Sequence, residues 1–93
     1  MRLSDSEVKA IKGVVGDIDK DARVYLFGSR VDKDARGGDI DLLVLSRKLA
    51  QEDSNKIRHR LWDIMGEQRI DIVIAKDDTH PFIKIALKGG ILL

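Results

Sequence analysis

The sequence predicts an α/β (α+β) protein: a small mixed β-sheet with helices packed mainly on one face. Three observations predict it. Hydrophobic periodicity changes along the chain in the order helix, strand, strand, helix, strand, helix. Two of the strands sort aliphatic side chains onto one face and carboxylates onto the other. A chain of 93 residues buries roughly 60 to 65% of its unfolded surface, enough for one core and no second, so residues 1–93 are expected to form a single domain.

Ser4-Asp5-Ser6-Glu7 has the spacing of a capping box. Val8, Ile11, Val14, Val15 and Ile18 follow at helical intervals, so an amphipathic helix is expected to end in the polar run Asp17 to Asp21. Arg23 to Phe27 reads as a short strand entering the turn-prone Gly28-Ser29, and Arg30 to Gly38, mostly charge and glycine, reads as a loop. Asp39 to Leu45 begins with alternation and becomes continuously apolar, as expected of a strand that starts at a rim and is then buried on both faces. Asp53 or Ser54 can cap a second helix bearing Ile57, Leu61, Ile64 and Met65, with Gly66 as its stop. Arg69 to Ala75 is the third strand. Pro81 opens a last helix through Leu87 or Lys88, closed by Gly89-Gly90.

The composition narrows the function. The chain is 43% hydrophobic and 35% charged, which suits a folded globular domain, and a formal net charge of +1 lacks the basic excess of a phosphate-backbone binder. Aromatics are 4%, so stacking platforms for single-stranded nucleic acid are scarce and a nucleic-acid partner is not expected. No cysteine is present, which excludes disulfides, zinc-thiolate sites and a cysteine nucleophile. No long apolar run and no signal-peptide core at Met1 to Asp5 occur, so the expectation is a cytoplasmic protein with no membrane partner. No P-loop Gly-Lys-Ser/Thr is present.

Strand parity assigns the chemistry. Asp39, Asp41, Leu43 and Leu45 share one face, opposite Ile40, Leu42 and Val44; Asp71, Val73 and Ala75 likewise oppose Ile70, Ile72 and Ile74. Carboxylates at i and i+2 stand about 6.5 to 7 Å apart at their Cα atoms. At about 6 Å and an effective dielectric near 20 they repel by roughly 3 kcal/mol. An Asp-x-Asp at a strand start is ordinarily a solvated edge. Here Gly28-Ser29 lies upstream, where glycine admits close backbone approach and the serine offers a hydroxyl and an amide to phosphate oxygens. A phosphate cradle beside an acid pair suited to Mg²⁺ outlines a nucleoside triphosphate site.

Phe27-Gly28-Ser29, nine intervening residues, and Asp39-Ile40-Asp41-Leu42 resemble the signature of the DNA polymerase beta-like nucleotidyltransferase superfamily. That signature is a hydrophobic-Gly-Gly/Ser turn, a spacer near ten, and a hydrophobic-flanked Asp-x-Asp. Within it, the short length and the stretch from Gly37-Gly38 through Val44 resemble the minimal nucleotidyltransferases (MNT, MntA-like), often encoded beside a HEPN-domain partner in toxin-antitoxin modules. The resemblance implies that Gly28 and Ser29 hold the triphosphate and that Asp39 and Asp41 ligate Mg²⁺, two ions being expected. It also implies that Asp71 is the third, metal-binding and catalytic acid, helping to activate the acceptor hydroxyl. Arg30 is a candidate for the triphosphate or a solvated loop cation; Lys33 and Arg36 are read as solvated. Gly38 stands where many minimal members have Ser or Thr, and the spacer is nine rather than ten.

The function implied is an Mg²⁺-dependent nucleotidyltransferase (EC 2.7.7-type) moving AMP from ATP to a hydroxyl of a protein, as the antitoxin of a HEPN/MNT pair. The reaction is in-line attack on the α-phosphate with pyrophosphate leaving, one ion lowering the acceptor pKa and the other neutralising the pyrophosphate. The alternative is an antitoxin or scaffold of little or no activity that covers its partner; a nucleotide-binding sensor is a third reading. Tyr25, Phe27, Leu43, Leu45, Val73 and Ala75 lie opposite the helix-covered face with few residues left to cover them, which predicts a partner protein or a homo-oligomer there unless Ile91-Leu92-Leu93 folds over it. His59 and His80 are read as surface or capping residues, Trp62 and Met65 as core or interface, and Arg58 and Arg60 as a solvated helix face.

Overall fold

The computed structural model describes residues 3–28 and 40–93. Helix α1 spans Asp5–Ile18, strand β1 Arg23–Phe27, β2 Ile40–Leu45, helix α2 Ser54–Met65, strand β3 Ile70–Ala75, helix α3 Pro81–Gly89 and a two-residue strand β4 Ile91–Leu92; a 3₁₀ turn, Gln51–Asp53, leads into α2. The Cα radius of gyration is 12.3 Å, matching the roughly 12 Å of a compact chain of this length.

Local signals set the helix ends. The Ser4 hydroxyl accepts the Glu7 N–H while Glu7 Oε1 accepts the Ser4 N–H, a complete capping box. Gly66, at φ +85°, ends α2. Pro81 is the first residue of α3, and His80 Nδ1 accepts the Phe82 N–H as its cap. No helix among the described residues is long and apolar enough to cross a membrane.

The sheet order is β3-β2-β1-β4. β1 runs antiparallel to both β2 and β4, while β2 and β3, joined by the α2 crossover, run parallel, so the sheet is mixed as expected. Strand parity is realised in two clusters. Ile40, Leu42, Val44, Ile70 and Ile72 are buried against Ile11, Val14 and Val15 of α1 and Ile57 and Leu61 of α2. Each such aliphatic side chain contributes about 1.5 to 3 kcal/mol on burial. Trp62 and Met65 pack at the margin of this cluster, and the Trp62 indole N–H donates to the Gln68 carbonyl.

Two expectations are corrected here. The face bearing Tyr25, Phe27, Leu43, Leu45, Val73 and Ala75 is not left open: α3 lies on it, with Ile83 and Ala86 buried against a fully buried Leu43. The Ile91-Leu92 segment instead extends the sheet beside β1. The chain turns into β4 directly from α3 because Gly90 fits between two backbones; a Cβ there would stand 2.7 Å from the Ala86 carbonyl oxygen and 3.1 Å from that of Leu26. Arg58 and Arg60, though partly exposed as expected of that face, are not merely solvated. Arg58 Nε donates to the Ile70 carbonyl at 2.7 Å, and Arg60 pairs with Asp17 at 3.0 Å, tying α2 to β3 and to α1.

The outer edge of β3 is closed by a side chain. The Gln51 amide donates to the Ile72 carbonyl and accepts the Ile74 N–H, both at 2.8 Å, taking the place of a neighbouring strand and blocking edge-to-edge addition. After β2, the Ser46 hydroxyl donates to Asp19 Oδ2 and accepts the Lys48 and Leu49 N–H groups. This hydroxyl, and then the Asp21 N–H, hold the Asp19 carboxyl below its ordinary value. A depressed carboxylate contributes stability above its unfolded pKa, about 4, and loses that contribution as pH falls through the lower folded value. Between about pH 5 and pH 3, the urea midpoint of the native protein is therefore expected to fall more steeply than that of Asp19→Asn; parallel curves would refute the linkage.

Candidate active site

β1 ends at Phe27, and the chain leaves it through Gly28 at φ +77°, a left-handed conformation that favours glycine. The antiparallel register sets Phe27 opposite Asp41, and the parallel register sets Asp41 opposite Asp71. Three adjacent strands thus bring Phe27, Asp41 and Asp71 into one row, on one face and at one end of the sheet. With strands about 4.8 Å apart, the two carboxylates are near neighbours. Gly28 lies directly against this row. A Cβ built on it would fall deep inside the Asp41 Oδ2, with Cγ at 3.1 Å and Cβ at 3.4 Å. Glycine is therefore required here twice, by backbone conformation and by the carboxylate beside it.

Asp41 and Asp71 are only partly buried, at the mouth of the apolar layer under α3. Phe27 is held from that side by Phe82, ring centroids 6.1 Å apart at 82°. Two full charges about 5 Å apart repel by roughly 3 kcal/mol at an effective dielectric near 20; for half-exposed groups solvent reduces this to a fraction. Arg69 Nε stands 3.9 Å from Asp71 Oδ2 with both side chains well exposed, so it offsets part of the repulsion. Paired carboxylate oxygens on a rim of this kind suit a hard divalent cation.

Of the residues expected to form the site, the structure brings Gly28, Asp41 and Asp71 together. Ser29, Arg30 and Asp39, with Lys33 and Arg36, lie outside the described residues. Among the described residues no group of three or more His, Asp or Glu is placed to hold a metal ion; what they supply is the Asp41–Asp71 pair. The histidines stand apart, as expected. His59 stacks on Trp62 at 5.3 Å, and His80 caps α3. Sequence reasoning missed Phe82 as a support of the site, because the contact depends on α3 returning to the acid-bearing face, which no local spacing encodes.

Comparison with curated proteins finds no match to the chain. The family described as polymerase beta, nucleotidyltransferase matches residues 9–93, which cover both strands of the acid pair and the glycine turn. The chain belongs to the polymerase beta nucleotidyltransferase family.

Proposed function

We propose that the protein is a minimal nucleotidyltransferase that transfers AMP from ATP to a hydroxyl of a HEPN-type partner protein and acts as the antitoxin of that pair. The row Gly28, Asp41 and Asp71 supports this reading: a glycine with no room for a Cβ beside the Asp41 carboxylate, and a second carboxylate in register with it. Family membership supplies the reaction type, nucleotidyl transfer.

Asp41 and Asp71, with Asp39, would hold Mg²⁺, which when bound neutralises phosphate charge and lowers the pKa of an acceptor hydroxyl. The chain's own groups do the positioning. Gly28 lets its backbone approach the triphosphate, and Ser29 and Arg30, which follow it in sequence, are the further residues proposed to hold it. Asp71 takes the proton of the acceptor hydroxyl as its oxygen forms the new bond to the α-phosphorus and the bond to the pyrophosphate oxygen breaks in line. Phe82, pressed on Phe27, holds the end of β1 in place below the row.

A scaffold role is favoured by a separate observation. Phe82 and Ile85 of α3 remain 45% and 71% exposed, large apolar side chains that a bound protein would cover. Labelled ATP, Mg²⁺ and the protein encoded by the adjacent gene separate the two. Transfer of label to the partner is expected with the native protein and not with Asp39→Ala/Asp41→Ala. Label transfer by the double variant would refute the assignment of the acids, and tight binding without transfer by either form would establish the scaffold.

A further inference from the structure

At the far end of β2 and β3 from the acid row, about 13 Å along β2 from Asp41 to Leu45 at the rise of a strand, a cleft of about 700 Å³ opens. It lies beyond the carboxyl ends of the two parallel strands, the place where open α/β sheets receive ligands. Its walls are cationic. Arg23 comes from the start of β1, Arg47 and Lys48 from the turn after β2, and Lys76 from the end of β3; among the described residues Asp19 and Asp21 are the carboxylates that line it, leaving these six side chains a formal charge of +2.

The partners matter more than the count. The Asp19 carboxylate is already occupied, Oδ1 by the Asp21 N–H at 3.0 Å and Oδ2 by the Ser46 hydroxyl at 2.5 Å. Asp77, beyond the rim near Arg47 and Lys76, gives its carboxylate to the Thr79 N–H and hydroxyl. Among the described residues, none of the four cations makes an ion pair or a side-chain hydrogen bond; the ion pairs formed belong to Arg60 and Arg69. The turn that presents Arg47 and Lys48 is also fixed. The Ser46 hydroxyl, on a residue 4% exposed, accepts the Lys48 and Leu49 N–H groups, and Leu49 anchors the turn in the core. Four cations without a salt bridge converge on a concave, polar space, Lys48 within electrostatic reach of Asp19 and Arg47 and Lys76 of Asp77, each of these carboxylates being already hydrogen-bonded.

We infer that this cleft is a second binding site, separate from the acid row, for a small ligand of the phosphate-ester or polyphosphate class carrying at least two negative charges. Guanidinium forks and lysine ammonium groups match phosphate oxygens. The volume lies in the range of small-ligand sites, and a chain of net charge +1 lacks the charge for a long polyanion.

Isothermal titration calorimetry with inorganic pyrophosphate, and separately AMP, in EDTA at low ionic strength tests this. One site is expected, weakened at least about tenfold by Arg47→Ala/Lys76→Ala, unchanged by Asp41→Asn, and several-fold weaker in about 0.15 M salt. All four cations are exposed surface residues, so a circular dichroism melt of the double variant is expected to match the native one. Absence of heat for both probes, or native affinity in the double variant, overturns the proposal. So does tighter binding in Asp41→Asn, which would place the anion at the acid row, where removing a carboxylate relieves repulsion. A single-stranded oligonucleotide that binds more tightly than AMP and is lost with the same double variant would assign the surface to nucleic acid instead.

Discussion

Gly28→Ala is expected to lower AMP transfer by about 100-fold or more while leaving a folded, less stable protein. Two effects combine. An alanine held at φ +77° costs about 1 to 2 kcal/mol relative to its favoured conformations, which in a domain of this size lowers the melting temperature by roughly 5 to 15 °C. Its methyl group must also take space now filled by the Asp41 carboxylate. That carboxylate must then move, and a displacement of about 1 Å of a reacting or ligating group costs on the order of 10²-fold in rate. Gly66→Ala is the matched control. Gly66 also has a positive φ, +85°, but a Cβ there meets nothing within 4 Å, so this variant is expected to lose stability and keep its transfer rate. Equal losses of rate in the two variants would show that strain alone, and not the Asp41 contact, accounts for the effect at Gly28.

The contrast between these glycines also shows what could be read without the fold. Gly66, the Ser4–Glu7 box and Pro81 act within a turn or two of the chain, and their spacing foretold three helix ends. Strand parity was likewise legible, because a period of two fixes which side chains share a face: Asp41 and Asp71 lie on one side of the sheet, with Ile40, Leu42, Ile70 and Ile72 on the other. What stayed hidden depends on distant segments meeting. The clash that restricts position 28 is with a residue thirteen positions on. The return of α3 over Leu43 turned an expected open face into a partly covered one, and the hydrogen bond from Arg58 to the Ile70 carbonyl made a part-buried tie of a residue whose charge suggests solvent. The cationic cleft was hidden for the same reason: its four cations are contributed by three separate segments, and none forms a charge run in the sequence.

Asp71→Asn is the second substitution with a large expected effect, and its value lies in separating activity from stability. Asn is nearly isosteric with Asp, so β3 should keep its register with β2. Two electrostatic terms then oppose each other. Removing one of two adjacent like charges relieves a repulsion that is a fraction of about 3 kcal/mol for half-exposed groups. The same change removes attraction to Arg69, which is 3.9 Å away and 74% exposed, an arrangement worth at most about 1 kcal/mol. The terms nearly cancel, and the melting temperature is expected to shift by no more than a few degrees. The proposed function offers no such cancellation. A carboxylate that helps hold Mg²⁺ and accepts the acceptor's proton contributes several kcal/mol to the transition state, and each 1.36 kcal/mol is about tenfold in rate. Label transfer is therefore expected to fall by about 10² to 10³-fold while the fold is retained. A variant that melts like the native protein and transfers label at the native rate would remove Asp71 from the site, leaving its register with Asp41 as a feature of the sheet alone.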